Sequence, residues 1–151
     1  MSQPNGPAVA VVTRVLPATP DVVFDEWLDP DALREWMCPR PARVVGVEID
    51  PTVGGALRLD IDDGGSRSVV TGEFLAIDRP RRLVFTWRDT DWADPEPDSV
   101  VTVLLEPHGN DATEMRILHE SLPPGAVDGY GPGWDLVARQ LETRLASRNH
   151  A

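Results

Sequence analysis

Three tryptophans, a histidine, a tyrosine and one carboxylate–guanidinium set are the side chains in this sequence best equipped for chemistry. Trp36, Trp87 and Trp134 each offer a wide apolar face and one N–H donor, which suits them to grip a flat ligand and equally to fill a core. His119 falls, by strand alternation, on the face of Met115 and Ile117. There it is either a proton shuttle, a donor to a ligand carbonyl, or a buried histidine whose ring nitrogens are satisfied. Glu73 and Arg58 belong to strands whose facing the pattern leaves open. With Glu73, Leu75 and Ile77 turned inward, a buried carboxylate of raised pKa is available for acid–base work, with Arg58 or Arg88 as counter-charge. With Gly72, Phe74 and Ala76 inward, Glu73 is solvated. An enzymatic mechanism would therefore draw on His119, Glu73 and Arg58. Tyr130 lies in a Gly/Pro-rich stretch and is either part of a lid over a pocket mouth or an exposed loop residue.

Several chemistries are excluded. All fourteen cationic side chains are arginine, so Schiff-base lysine chemistry, lysine-anchored pyridoxal phosphate and a P-loop lysine are absent. The single cysteine, Cys38, forbids an internal disulfide and a cysteine-based zinc site. His108, His119 and His150 are scattered, without HxH or HxxxH spacing. No metal and no cofactor is expected. Gly54-Gly55 is followed by neither helix nor lysine, so it reads as a turn before a strand, not a phosphate loop.

The formal net charge is −11, from 14 cations against 25 carboxylates. That balance argues against nucleic-acid partners, which require a basic face, and against anionic membrane surfaces. No run approaches the roughly 20 apolar residues that span a bilayer, so no membrane insertion is expected. Residues 1–7 lack the basic and apolar regions of a signal peptide, and a cytoplasmic protein is expected. At 151 residues, 41% hydrophobic and 26% charged, the chain suits one domain. That domain is expected over residues 8–146, between a disordered 1–7 and a frayed 147–151, as a monomer or weak homodimer.

The elements that must position these side chains follow from periodicity. Residues 8–16 are valine-rich and predict a strand. Thr19, Pro20 and Asp21 announce a helix, with Thr19 as the capping hydroxyl and Val23, Phe24, Trp27 and Leu28 as its apolar stripe. Pro30 ends it, and Asp29 caps a second short helix carrying Leu33, Trp36 and Met37 on one face. Strands are predicted at 43–50, 56–62, 68–77, 83–88, 100–106 and 113–119. Alternation places Leu57, Leu59 and Ile61 together, and likewise Leu83, Phe85 and Trp87. Residues 89–98 read as an acidic loop and 123–132 as irregular. Residues 133–146 predict a helix with Trp134, Val137, Ala138, Leu141 and Leu145 on one stripe. The fold class is α+β. Strands joined by short turns form a curved antiparallel six- to seven-stranded sheet, with two short helices after the first strand and a long C-terminal helix in its grip. Such a sheet curved around one helix leaves a gap that side chains need not fill.

The order of these pieces, with particular residues, resembles the START/Bet v 1-like superfamily (SRPBCC), and within it the family of the activator of heat shock protein 90 ATPase. The resemblance is carried by the opening helices (PDVVFDEWLDPDALREWM), the VGG turn at Val53 to Gly55, GEFLAIDRPRRLVFTW ending at Trp87, the SVVTV strand from Ser99, Thr113 with His119, and the Gly133-Trp134 helix start. It implies a helix-grip fold with an internal cavity. Met37 replaces a second aromatic common in the family after the tryptophan at 36, and Ala76 stands where Glu is frequent, so no relative's ligand transfers to this chain.

The expected function is to bind or sequester a small hydrophobic molecule, aromatic or polycyclic, without catalysis. The expected lining is Trp36, Leu59, Phe74, Phe85, Trp87, Met115, His119, Tyr130, Trp134, Val137 and Leu141. The alternatives left open are a polyketide cyclase or aromatase, a bacterial antibiotic self-resistance protein that traps a reactive product, and a chaperone-regulator or stress-response interaction module.

Overall fold

The computed structural model describes residues 8–90, 98–123 and 126–149. The expectations for residues 1–7, for most of the acidic loop and for 150–151 lie outside them. The chain runs β1 (Ala8–Leu16), α1 (Pro20–Leu28), α2 (Pro30–Trp36), β2 (Arg43–Ile49), β3 (Ala56–Asp63), β4 (Ser66–Asp78), β5 (Arg82–Asp89), β6 (Ser99–His108), β7 (Ala112–Leu122) and α3 (Val127–Asn149).

All seven strands join one sheet in the order β1-β7-β6-β5-β4-β3-β2, every neighbour antiparallel. Strands β2 to β7 follow one another across the sheet as an antiparallel meander, and β1 returns to pair with β7. Irregular register at Ala8/Ala10, Val44/Gly46 and Phe74/Ala76 puts bulges into β1–β7, β2–β3 and β4–β5, which sharpen the local twist and bend the sheet. Gly72 marks the tightest approach: a Cβ there would fall on the carbonyl oxygen of Thr86 across the β4–β5 pair.

The concave face carries the core. Val101, Val103, Leu105, Met115 and Ile117 are fully buried there, as alternation requires. Helix α3 packs along β1, and α2 packs against β2. On the other side of edge strand β1, Val9, Val11 and Val15 stay exposed. No helix among the described residues is long and apolar enough to cross a membrane.

Two local expectations are corrected. Thr19 occupies the N-cap of α1 but makes no side-chain cap bond; proline at the first turn and Asp21 are what mark that end. Asp29 does cap α2, its Oδ1 accepting from the amides of Asp31 (2.9 Å) and Ala32 (3.4 Å). The second correction concerns α3, which starts at Val127 and not at 133, with Pro132 inside it. The Tyr130 amide already donates to the Ala126 carbonyl at 2.9 Å. Poor local propensity is overridden because this turn is anchored by the Tyr130 side chain, described below.

An ion-pair cluster around one buried carboxylate joins α1 to α3. Glu26, 4% exposed, accepts from Arg144 Nε and Arg148 Nη1, both at 2.7 Å. The i, i+4 arginines of α3 thus close on one carboxylate of α1, and sequence reading had singled out none of the three.

Candidate functional site

The interior is organised around His119. Strand β7 delivers it inward between Ile117 and β6, and it is wholly buried. Three rings surround it: Tyr130 at 4.9 Å, Trp87 at 5.6 Å and Trp134 at 5.9 Å between centroids, all edge-on. Both nitrogens are occupied. The Trp134 Nε1–H donates to Nδ1 at 3.0 Å. Ser99 Oγ donates to the Trp87 carbonyl at 2.7 Å and so presents a lone pair to Nε2, also at 2.7 Å. These partners assign the single ring proton to Nε2. Burial pushes the His119 pKa down to about 3, so the ring is neutral at any physiological pH. A histidine with both nitrogens committed and no charge is a structural pivot for three rings.

Ser99 was missed as a polar partner by sequence reading. The signal was present, since Ser99 alternates inward with Val101 and Val103 at the start of β6, but a serine at a strand end ordinarily reads as a turn residue.

The other expected residues fall into three groups. Trp36, Phe74, Phe85, Met115, Trp134, Val137 and Leu141 are buried in one continuous core with His119, and none of them borders the cavity described next. Trp27 joins them, edge-on to Trp36 at 4.9 Å and tilted on Trp134 at 6.2 Å. Leu59, Trp87 and Tyr130 border the cavity. Glu73 and Arg58 lie on the solvent side, with Phe74 inward; Arg58 donates to Asp60 through Nε at 3.2 Å and Nη2 at 3.0 Å. His119, Glu73 and Arg58 therefore do not converge on one wall.

The cavity, about 350 Å³, is partly open to solvent where β3, β4 and the end of β5 meet the segment after α2. Met37, Leu59, Ile61 and Val70 give it apolar walls; the Trp87 and Tyr130 rings close one side; Asp63, Ser66, Arg67, Ser68 and Asp89 make a polar border. Tyr130 is fixed there. Its oxygen accepts from Trp87 Nε1 at 3.0 Å and donates to Asp89 Oδ2 at 3.3 Å, and its ring meets Trp87 at 88°. Cys38 also lines the cavity, its thiol pushed up to about 11 first by burial and then by the carboxylates of Asp63 and Asp89. Cys38, Pro39 and Ala42 also border the cavity, in a stretch that carries no periodicity, so sequence reading missed them. That stretch is held by Gln140 of α3, whose amide donates to the carbonyls of Trp36 (3.0 Å) and Cys38 (2.8 Å) and accepts from the Arg40 amide (3.1 Å).

No group of three His, Cys, Asp or Glu among the described residues is arranged to hold a metal ion.

Comparison with known proteins gives one family match and many structural ones. Residues 17–146 match the family model described as activator of Hsp90 ATPase homolog 1-like protein. Among solved structures, a Nitrosomonas europaea protein superposes with TM-score 0.80 at 22% identity, covering 95% of this chain and 97% of that one. A Chromobacterium violaceum protein gives 0.79 at 26%, covering 91% and 96%. An HSP90 activator from Plasmodium falciparum gives 0.75 at 25%, again covering 91% and 96%. No curated protein matches the chain.

Proposed function

The chain belongs to the activator of Hsp90 ATPase homolog 1-like family, and from that premise we propose that it binds a small apolar molecule, aromatic or polycyclic, without transforming it. The observation that carries this reading is the cavity of about 350 Å³ walled by Leu59, Ile61 and Val70 and faced by the Trp87 and Tyr130 rings. Its size and its mix of aliphatic walls, aromatic faces and a polar border suit a compact ligand. Binding without turnover is favoured because His119 is neutral and engaged at both nitrogens, while Glu73 and Arg58 are on the outer face. Acid–base catalysis needs a proton donor or acceptor within reach of the substrate, and that trio offers none together.

The test is a titration with neutral polycyclic aromatics, naphthalene and flavone among them, read by tryptophan fluorescence and melting temperature. Binding should quench or shift the Trp87 emission and raise the melting temperature. Ile61→Trp, which fills the cavity, should abolish both effects while the protein stays folded. If no compound shifts the melting temperature, or the filled variant binds as well as the parent, this function is wrong.

A regulator-type interaction is favoured by a different observation. Val9, Val11 and Val15 leave an apolar row on edge strand β1, a surface able to accept a partner strand or an apolar patch, and the Plasmodium falciparum relative is described as an HSP90 activator. Val11→Lys should then abolish stimulation of a chaperone ATPase without altering ligand binding. A chaperone that ignores the parent protein removes this second reading.

A further inference from the structure

A second concavity of about 600 Å³ lies between the last turn of α2 and the start of β2. Arg34, Arg40 and Arg43 line it, with Glu35 the single carboxylate on its border. In a chain of net charge −11, most arginines are spent on carboxylates. Among the described residues these three have no carboxylate partner within the 4.0 Å that defines an ion pair. Three arginines, from a helix, a loop and a strand, thus border one groove without an ion-pair partner among the described residues, and repulsion among their charges falls when an anion enters.

The scaffold beneath them is rigid. The carbonyls of Trp36 and Cys38 and the Arg40 amide are all bonded to the Gln140 side chain, and the Ala42 amide closes a turn on the Pro39 carbonyl at 3.1 Å. The guanidinium groups therefore spring from a backbone that need not reorganise on binding, which lowers the entropic cost of occupancy. Three positive groups against Glu35 leave a local excess of two, matched to a dianion. Guanidinium forks recognise planar or tetrahedral oxyanions bidentately.

We propose that this arginine groove is a binding site for a dianionic oxyanion, a phosphate monoester or dicarboxylate group, distinct from the apolar cavity with which it shares Cys38 and Ala42. The site does not depend on the cavity being occupied.

Isothermal titration calorimetry and backbone amide shifts of the full chain at constant ionic strength test it, with inorganic phosphate, phenyl phosphate and succinate as probes and chloride as reference. Saturable binding of a dianion is expected, with shifts centred on residues 34–43. Replacing all three arginines (Arg34→Gln, Arg40→Gln, Arg43→Gln) should weaken it at least tenfold, and Glu35→Gln should tighten it about threefold. Binding of phosphates alone narrows the site to phosphate esters, and binding of succinate as well extends it to dicarboxylates; both support it. Dianions that act no differently from chloride, an unchanged affinity in the triple variant, or weaker binding by Glu35→Gln would each overturn it. The single Glu35 variant keeps the test decisive should the triple variant fail to fold.

Discussion

The indole N–H of Trp134, on α3, donates to Nδ1 of His119, on β7, at 3.0 Å. That bond ties the gripped helix to the floor of the sheet and, with Ser99 on the other nitrogen, fixes the histidine as a neutral ring. Its consequence is a pH dependence. Burial holds the folded His119 pKa at about 3, well below the ordinary value of 6.5. The unfolded chain takes up a proton below pH 6.5 that the folded chain refuses until about pH 3. The stabilisation is complete above pH 6.5 and is lost progressively as pH falls through that window, by about 1.4 kcal/mol per unit. Between pH 6 and 4.5 the parent should lose about 2 kcal/mol more than His119→Gln. Urea unfolding at the two pH values measures it, and parallel losses in both proteins would show that His119 is not the group responsible.

Two buried indoles provide a matched comparison. Trp27 Nε1 is buried with no hydrogen-bond partner among the described residues, whereas Trp134 Nε1 holds His119. Trp→Phe removes a similar volume at either site, but only at 134 does it leave a buried acceptor unpaired. Trp134→Phe should cost about 1–3 kcal/mol more than Trp27→Phe in chemical denaturation followed by circular dichroism. Equal costs would mean that the Trp134–His119 bond contributes nothing net.

Much of the fold follows from periodicity because the sheet obeys it. Leu57 and Leu59, Leu83 with Phe85 and Trp87, and Met115 with Ile117 and His119 all alternate inward where the pattern places them. The start of α3 was not legible: glycines and Pro132 argue against a helix locally, and only the tertiary anchoring of Tyr130 overrides them. The candidate site was legible in its strand-borne part, Leu59 and Trp87. Its other wall, Met37, Cys38, Pro39 and Ala42, depends on side-chain bonds from Gln140, a hundred residues away in sequence, which no local pattern reports. Facing also decided what periodicity left open, since Phe74 takes the inward position and Glu73 the outward one.

Glu26 predicts a strongly non-additive series. Arg144→Met with Arg148→Met leaves a 4%-exposed carboxylate without either cation. The pair should cost about 3 kcal/mol, the low end for an abandoned buried charge because Arg148 is half exposed. Adding Glu26→Met should recover most of that loss, since the apolar trio packs without desolvating a charge. Equilibrium unfolding of the double and triple variants decides; a triple variant less stable than the double would contradict the assignment.

Gly72→Ala tests the bend of the sheet. The added methyl collides with the Thr86 carbonyl, which is backbone and cannot rotate away. A loss of about 3 kcal/mol is expected, seen as a lowered urea midpoint. By contrast, Gly131→Ala meets no atom within 4 Å and lies in a helix, so it should be neutral or stabilising.

Cys38 reports on the cavity directly. Burial first, then the negative field of Asp63 and Asp89, raises its thiol to about 11. The attacking species in alkylation is the thiolate, so at pH 8 iodoacetamide should modify Cys38 on the order of 100-fold more slowly than a free cysteine. Asp63→Asn removes one opposing charge and should speed the reaction, while leaving the larger burial effect in place. A neutral aromatic that enters the cavity covers the sulfur without changing either carboxylate, so it should slow alkylation further in parent and Asp63→Asn alike. Mass spectrometry of the time course reads all three rates. A thiol that reacts at the free-cysteine rate would mean that Cys38 is not enclosed, and the apolar wall it shares with Leu59 and Ile61 would then be too open to retain a ligand.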